Sequence, residues 1–241
     1  MQPAIKAYMN WSGGKDSSLC LYKILQDKKY SVEALLTSIN ATHNRVSMHG
    51  VRRELLQAQA ESLGFFLQTI ELPEQPDMAE YDKMMSAKVS ELRQAGYTTA
   101  IFGDIFLEDL KRYREQMLAS ENINCIFPLW QTDTGLLMTE FLKLGFKAIV
   151  VCVNEYYLDK SFCGRIIDKS FVDDLPANVD VCGENGEYHS FVFDGPIFRH
   201  PISYRKGEIV CRNYPAPNSQ PTANEVENRE LSYNFFFCDL L

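Results

Sequence analysis

No stretch of this 241-residue chain stays apolar for the roughly 18 residues that a membrane span needs, and Met1-Gln2-Pro3 leads into the first expected strand without a signal-peptide core. The expectation is a cytoplasmic protein with no membrane partner. No two of the seven cysteines (20, 125, 152, 163, 182, 211 and 238) form a Cys-x-x-Cys pair, and their number is odd. That leaves neither a disulfide framework nor a zinc site. Most stand in apolar runs, where a free cysteine acts as a small hydrophobe. Excess positive charge is also missing: 24 Lys and Arg face 32 Asp and Glu, a net charge of −8. A broad nucleic-acid footprint needs clustered cations to neutralise phosphates, so nucleic acid is not an expected partner, although a local basic groove stays open. Repeats and low-complexity tracts are absent too.

What is present is a globular composition, 46% hydrophobic and 23% charged, which makes a packed core the default. The length suits one α/β domain plus a smaller partner, drawn here as residues 1–125 and 126–241. Near the start, Tyr8-Met9-Asn10-Trp11-Ser12-Gly13-Gly14-Lys15-Asp16-Ser17-Ser18 breaks an apolar run into a turn of small residues and restarts as a helix. Glycines let consecutive N–H groups turn inward as an anion nest, and the helix N-terminus adds unpaired donors and the positive end of its dipole. Lys15 supplies a point charge, and Ser12, Ser17 and Ser18 supply hydroxyls. The cradle is expected to face solvent above the core. It is not a Walker loop, because the place of that motif's first glycine holds Met9. The bland alternative is an ordinary strand-to-helix turn with a solvated lysine.

Apolar strands alternate with helical spacing through residue 105: strands at 5–11, 32–39, 65–72 and 98–105, helices at 16–28, 51–63 and 77–94. Such alternation implies a parallel sheet with helices on both faces. Ligands of these sheets sit at the carboxyl ends of the strands, which singles out the Ser12 loop, Ser38-Ile39-Asn40, the Pro73 exit and Phe102-Gly103-Asp104-Ile105. Asp104 either holds Mg²⁺ beside a phosphate or caps the helix that starts near Glu108. His49, in Ser47-Met48-His49-Gly50-Val51, is either a substrate-side contact or a helix-entry residue. Arg112 and Arg114 lie on a helix of mixed charge, which reads as a solvated face or as a grip on a phosphate or carboxylate. Beyond them come a short strand at 123–129, a helix at 134–144, a strand at 147–153, and a polar loop, 158–165, opening a helix at 166–175.

Farther on, Asp180-Val181-Cys182-Gly183-Glu184-Asn185-Gly186-Glu187-Tyr188 sets two carboxylates three apart around a flexible turn just before an apolar strand, 190–193. Either Glu184 and Glu187 point into one pocket, where paired acids bind a cation, orient an amine or move a proton, or the stretch is a surface hairpin. Close to the end of the chain, Tyr233 to Cys238 contains three adjacent phenylalanines. A final strand antiparallel to 203–212, joined to it by a loop at 213–230, keeps them from water. A tail docked on a second subunit is the rival, which would make a homodimer.

The Ser12–Ser17 stretch resembles the PP-loop of the ATP pyrophosphatase superfamily, shared by GMP synthetase, argininosuccinate synthetase and tRNA-thiolating enzymes. Taken in one order with Gly103-Asp104-Ile105, Pro128-Leu129-Trp130, Leu158-Asp159-Lys160-Ser161-Phe162, Gly164-Arg165, Cys182 to Tyr188 and Asp194-Gly195-Pro196, it looks like the diphthine–ammonia ligase family, which completes diphthamide on elongation factor 2. Asn185 stands where that family usually has the first of two glycines. The resemblance covers about residues 5–200. It implies an α/β, doubly wound parallel sheet of the PP-loop, HUP-like kind with a second, smaller α+β domain. It also implies a ligase: ATP and a carboxylate give an acyl-adenylate and pyrophosphate, and ammonia then yields an amide and AMP. In that scheme Ser12, Gly13, Gly14, Lys15, Asp16, Ser17, Ser38, Gly103 and Asp104 serve ATP, Asp104 also serves Mg²⁺, and Glu184, Asn185, Gly186 and Glu187 shape the acceptor and ammonia pocket. The same PP-loop also serves tRNA thiolation and lysidine-type modification, which need a persulfide cysteine or a basic surface, and it would serve a non-catalytic ATP sensor.

Overall fold

The computed structural model describes residues 3–74, 76–215 and 232–241. In chain order they form β1 (Ile5–Asn10), α1 (Lys15–Gln26), β2 (Tyr30–Asn40), β3 (Arg45–Val46), α2 (Arg53–Leu63), β4 (Phe66–Leu72), α3 (Met78–Gln94), β5 (Thr99–Ile101), α4 (Glu108–Ala119) and β6 (Asn124–Ile126). Then follow α5 (Thr134–Lys143), β7 (Lys147–Asn154), α6 (Lys169–Asp173), β8 (Tyr188–Asp194), β9 (Lys206–Pro215) and β10 (Ser232–Leu240).

The expected parallel sheet is present, with strands in the order β4-β2-β1-β5-β6. Successive side chains of a strand point to opposite faces, and β1 shows the consequence. Ala7 and Met9 join one apolar cluster with Leu19, Leu56 and Ile101, whereas Tyr8 joins another with Leu36, Val89 and Leu118. The chain winds from β1 through β2 to β4 on one side and then returns to β5 on the other. The crevice where a doubly wound sheet takes its ligand therefore opens between the carboxyl ends of β1 and β5.

A second sheet is antiparallel, ordered β8-β7-β10-β9. Its core residues Val150 and Phe191 belong to the same apolar cluster as Met9 and Leu56, so the two sheets share one interior. Side-chain caps start three of the helices: Asp77 accepts from Glu80 N at 2.8 Å, Asp133 from Leu136 N at 2.9 Å and Asp168 from Phe171 N at 2.8 Å.

Two expected elements are shorter than their apolar runs. The helix read at 166–175 is confined to α6, because Ile166 bridges Ile149, Ile167 N donates to Ala148 O at 2.9 Å, and Asp168 caps the turn by accepting from Phe171 N at 2.8 Å. The strand read at 98–105 stops pairing with β1 at Ile101, and residues 102–105 leave the sheet toward the α1 N-terminus.

The final strand forms as expected, and within its own chain. Phe235, Phe236 and Phe237 pair with Arg212, Cys211 and Val210 of β9 on one side and with Asn154, Val153 and Cys152 of β7 on the other. Of the loop read at 213–230, residues 213–215 continue β9, and the remainder lies outside the described residues.

From β10, Asp239 reaches the segment between β3 and α2. Its Oδ1 accepts from Arg45 Nη1 at 2.8 Å and its Oδ2 from Arg52 Nη2 at 2.7 Å. These bonds, Arg52's foremost, hold its carboxyl down to about 2. A depressed folded pKa stabilises the fold above the ordinary carboxylate range, and that contribution fades as pH falls through the folded value. Asp239→Asn should therefore melt below wild type at neutral pH, by about 1–2 kcal/mol. Thermal melts should show the gap closing toward about pH 2.

Candidate active site

Asn10 Nδ2, at the end of β1, donates to Ile101 O at the end of β5 (3.2 Å) and ties the two lips of the crevice together. From there the chain turns under the control of a residue whose role the sequence did not announce. Gln59 of α2 is fully buried. Its Oε1 accepts from Trp11 Nε1 at 3.0 Å, and its Nε2 donates to Gly13 O at 3.0 Å and to Val192 O at 2.6 Å. Gly13 sits at φ +78°, and a Cβ there would stand 2.7 Å from Gln59 Oε1. Both the backbone angle and the space require glycine.

Within the turn most polar groups are already paired. Ser12 Oγ accepts from Gly14 N at 3.2 Å, Lys15 N donates to Ser190 Oγ of β8 at 3.1 Å, and the hydroxyls of Ser17 and Ser18 each donate to Gly14 O at 2.9 Å. Both hydroxyls are thus turned to the loop's own carbonyl, and Ser17 Oγ also lies 3.1 Å from Ser12 Oγ. The N–H groups of Asp16 and Ser17 have no partner among the described residues. They are the donors left at the positive end of α1. Gly103 admits the second lip, for a Cβ there would stand 3.1 Å from Asp16 C and 3.2 Å from Ser17 N.

Lys15 does not project into solvent as expected. Its side chain is buried, with Nζ 2.7 Å from Asp16 Oδ2 and 5.2 Å from the centre of the Tyr188 ring. Burial is the largest single influence and works to lower its pKa, but Asp16, Tyr188 and Cys182 together outweigh it and the net direction is upward. The ammonium thus stays charged. Asp104 does not cap α4, which begins after Leu107; its carboxylate faces Arg114 at 3.1 Å. Its Oδ2 is buried and makes no hydrogen bond, and burial first of all raises its pKa. Arg114 also lies 4.4 Å over the Phe102 ring, a structural post, while Arg112 is exposed and among the described residues pairs with Asp109. Ser38 stands near the end of β2, where its carbonyl accepts from Ser47 N at 3.3 Å.

Glu184 and Glu187 do not share a pocket. Glu187 is fully buried in its own turn, where it accepts from Asp180 N (2.9 Å), Asn185 N (2.9 Å) and Asn185 Nδ2 (3.0 Å). The turn folds around that carboxylate, with Gly183 and Gly186 at positive φ, and the Asn185 amide adds a donor that glycine lacks. Glu184 points the other way, across to the parallel sheet, and accepts from Ile105 N at 2.8 Å. Burial pushes its carboxyl up to about 7, with the charges of Asp16 and Asp104 adding to the rise and the Ile105 N–H and Lys15 opposing it. A group balanced near neutrality beside a phosphate-sized nest suits proton transfer.

Residues 5–121 match the family described as diphthamide synthase N-terminal domain, and residues 133–213 match the diphthamide synthase C-terminal domain. The chain belongs to the diphthine–ammonia ligase family. The diphthine–ammonia ligase of Danio rerio is 25% identical over 223 residues, 84% of this chain and 87% of that protein. The human one is 24% identical over 225 residues, 84% of each. Among solved structures, the U34-tRNA thiolase NcsA from Methanococcus maripaludis, with its [4Fe-4S] cluster, is similar over 58% of this chain and 57% of its own. Its identity is 17% and its TM-score 0.35, too slight a likeness to carry an argument. Both family segments meet at the crevice. The N-terminal one carries Ser12 to Ser17, Gly103 and Asp104, and the C-terminal one brings Glu184 against Ile105 and Ser190 against Lys15.

Proposed function

We propose that the protein joins a carboxylate to ammonia at the expense of ATP, through an acyl-adenylate, releasing AMP and pyrophosphate, with diphthine as the carboxylate. The observation that carries this reading is Glu184, near neutrality and held against the lip of a crevice whose free N–H groups and buried Lys15 suit a pyrophosphate leaving group. ATP supplies the activation. Asp16 N, Ser17 N and Lys15 Nζ hold its pyrophosphate end, with Ser12, Gly13 and Gly14 shaping the turn, Gly103 admitting the second lip and Ser38 on the neighbouring strand. Mg²⁺ asks for one or two carboxylates beside phosphate oxygens and water. Among the described residues no three His, Cys, Asp or Glu side chains gather as a metal site. Asp104 Oδ2, buried and without a hydrogen bond although ion-paired with Arg114 Nη1 at 3.1 Å, is the carboxylate oxygen that would meet that sparse requirement if a metal took the place of the arginine. Glu184 accepts a proton from the incoming ammonia or ammonium, and Glu187 with Asn185 and Gly186 fixes the turn that aims it.

A thiolation chemistry is poorly served here. Burial raises the thiol pKa of Cys20, Cys125, Cys152, Cys163, Cys182 and Cys238, the reverse of what a persulfide carrier needs. The test is product analysis by chromatography. AMP and pyrophosphate should accumulate over many turnovers only when carboxylate and ammonia are both present. Stoichiometric ADP, or turnover that needs neither acceptor, would refute the ligase reading.

A second measurement isolates Glu184. With free ammonia held constant, kcat/KM should rise as pH passes upward through about 7, as the carboxyl loses its proton. In Glu184→Gln that limb should vanish and the plateau fall roughly 10²–10⁴-fold. A variant that keeps both the limb and the rate excludes Glu184 as the base.

A further inference from the structure

Two histidines meet face to face beside the cradle. The segment between β3 and α2 delivers His49, β8 delivers His189, and their rings stack with centroids 4.5 Å apart and planes at 29°. His49 Cε1 and Ser12 Oγ each lie 3.3 Å from the point where Gly14 would carry a Cβ, so the pair walls the same turn that leaves Asp16 N and Ser17 N free. His49 Nδ1 is 3.4 Å from Ser190 O, the carbonyl of the same residue whose hydroxyl takes Lys15 N.

The charged surroundings of the pair are one-sided. From α1 the acting charge is Lys15, and from β8 it is the other imidazole. From β3, His49's own segment and β10 come Arg45, Arg52 and Asp239, two cations sharing one carboxylate, which leaves a net positive charge on that side as well. Burial, with Lys15 as a further cause, holds His49 down to about 4, and His189 is held well below its ordinary range. At rest, then, two neutral rings stand next to a lysine that repels any proton they take. A phosphate anion in the cradle reverses the local field, and an anion within a few ångströms favours the charged form of an imidazole.

We propose that the His49–His189 stack takes up one proton when a pyrophosphate group enters the cradle, the resulting imidazolium becoming a cationic contact to the phosphate in addition to Lys15. The proposal rests on reading the cradle as a phosphate site. The proton comes from solvent and returns to it when pyrophosphate leaves. Only one ring gains it, because two imidazolium ions in a stack repel. A second lysine here would repel Lys15 in the empty site, whereas a neutral ring pair carries no charge until the anion arrives.

The experiment uses the full chain with ¹⁵N-labelled histidine rings and inorganic pyrophosphate as the probe, with binding followed separately by calorimetry. The chain has four histidines, and His49→Gln and His189→Gln assign the pair against His43 and His200. At about pH 5.5, below the ordinary histidine range, the free protein should show two neutral rings. Saturating pyrophosphate should convert one to the imidazolium pattern, its apparent pKa rising by roughly two units or more. His49→Gln should weaken pyrophosphate binding roughly tenfold near about pH 6, with the two affinities converging toward about pH 8. Pyrophosphate that binds while both rings stay neutral overturns the proposal and leaves the cradle standing. Absence of pyrophosphate binding overturns both. The wild-type ring signals decide the matter even if a variant fails to fold.

Discussion

Lys15→Met should lose ATP turnover roughly 10²–10³-fold, the cost typical of removing one preorganised electrostatic contact from a developing anion, while melting within a few degrees of wild type. The side chain is buried against Tyr188 and Cys182, so truncation to alanine would add a cavity to the lost charge, whereas the loss of Asp16's partner is common to both changes. Methionine keeps the stem and removes the charge. Pyrophosphate binding by itself should weaken by about 1.5–3 kcal/mol, the worth of a charge-assisted hydrogen bond. A deeper loss in turnover than in binding would place part of the contact in the transition state. Full activity in Lys15→Met would sink the cradle assignment. Gly13→Val is a poor substitute, because a side chain there runs into Gln59 and disturbs the fold before it tests the phosphate.

The parallel sheet was legible, though not the order of its strands, because both of its faces are covered, so every strand reads as an apolar run and each helix as a 3.6-residue pattern between runs. The cradle was legible because its requirement is local: small residues, a lysine and a helix start within seven positions. What the sequence could not show are the contacts made at long range. Ser190 takes the Lys15 N–H from 175 residues away, and Gln59 holds Gly13 from 46. In the helical pattern of α2, Gln59 is one polar residue among several. Its only signal is that it falls beside Leu55, Leu56 and Ala60 on the buried face, where an unpaired amide would be costly. The two glutamates failed for the opposite reason. Spacing of three around glycines suggested convergence, but a turn of that tightness needs an acceptor for its own N–H groups, and Glu187 is the nearest one. Only Glu184 is left to face the crevice.

Removing residues 232–241 should leave an insoluble or unfolded chain. β10 is not an edge: it lies between β7 and β9, so its loss strips hydrogen-bond partners from two strands at once and bares both as pairing edges. It also takes away the buried Cys238 and Leu240 and the partly buried Phe236. Each large apolar side chain is worth about 1.5–3 kcal/mol on burial, and a domain of this kind has only about 5–15 kcal/mol in hand. Two point changes separate this global effect from a local one. Leu240→Ala should cost about 2–5 kcal/mol by opening a cavity in the shared interior. Phe237→Ala, whose ring packs against Gly50, should cost less. It should act on the segment that carries His49, weakening pyrophosphate binding while melting close to wild type. A soluble truncated chain of unchanged melting temperature, measured by calorimetry and by size-exclusion chromatography, would show that the antiparallel sheet does not depend on β10 and would remove the link from the carboxyl terminus to the cradle.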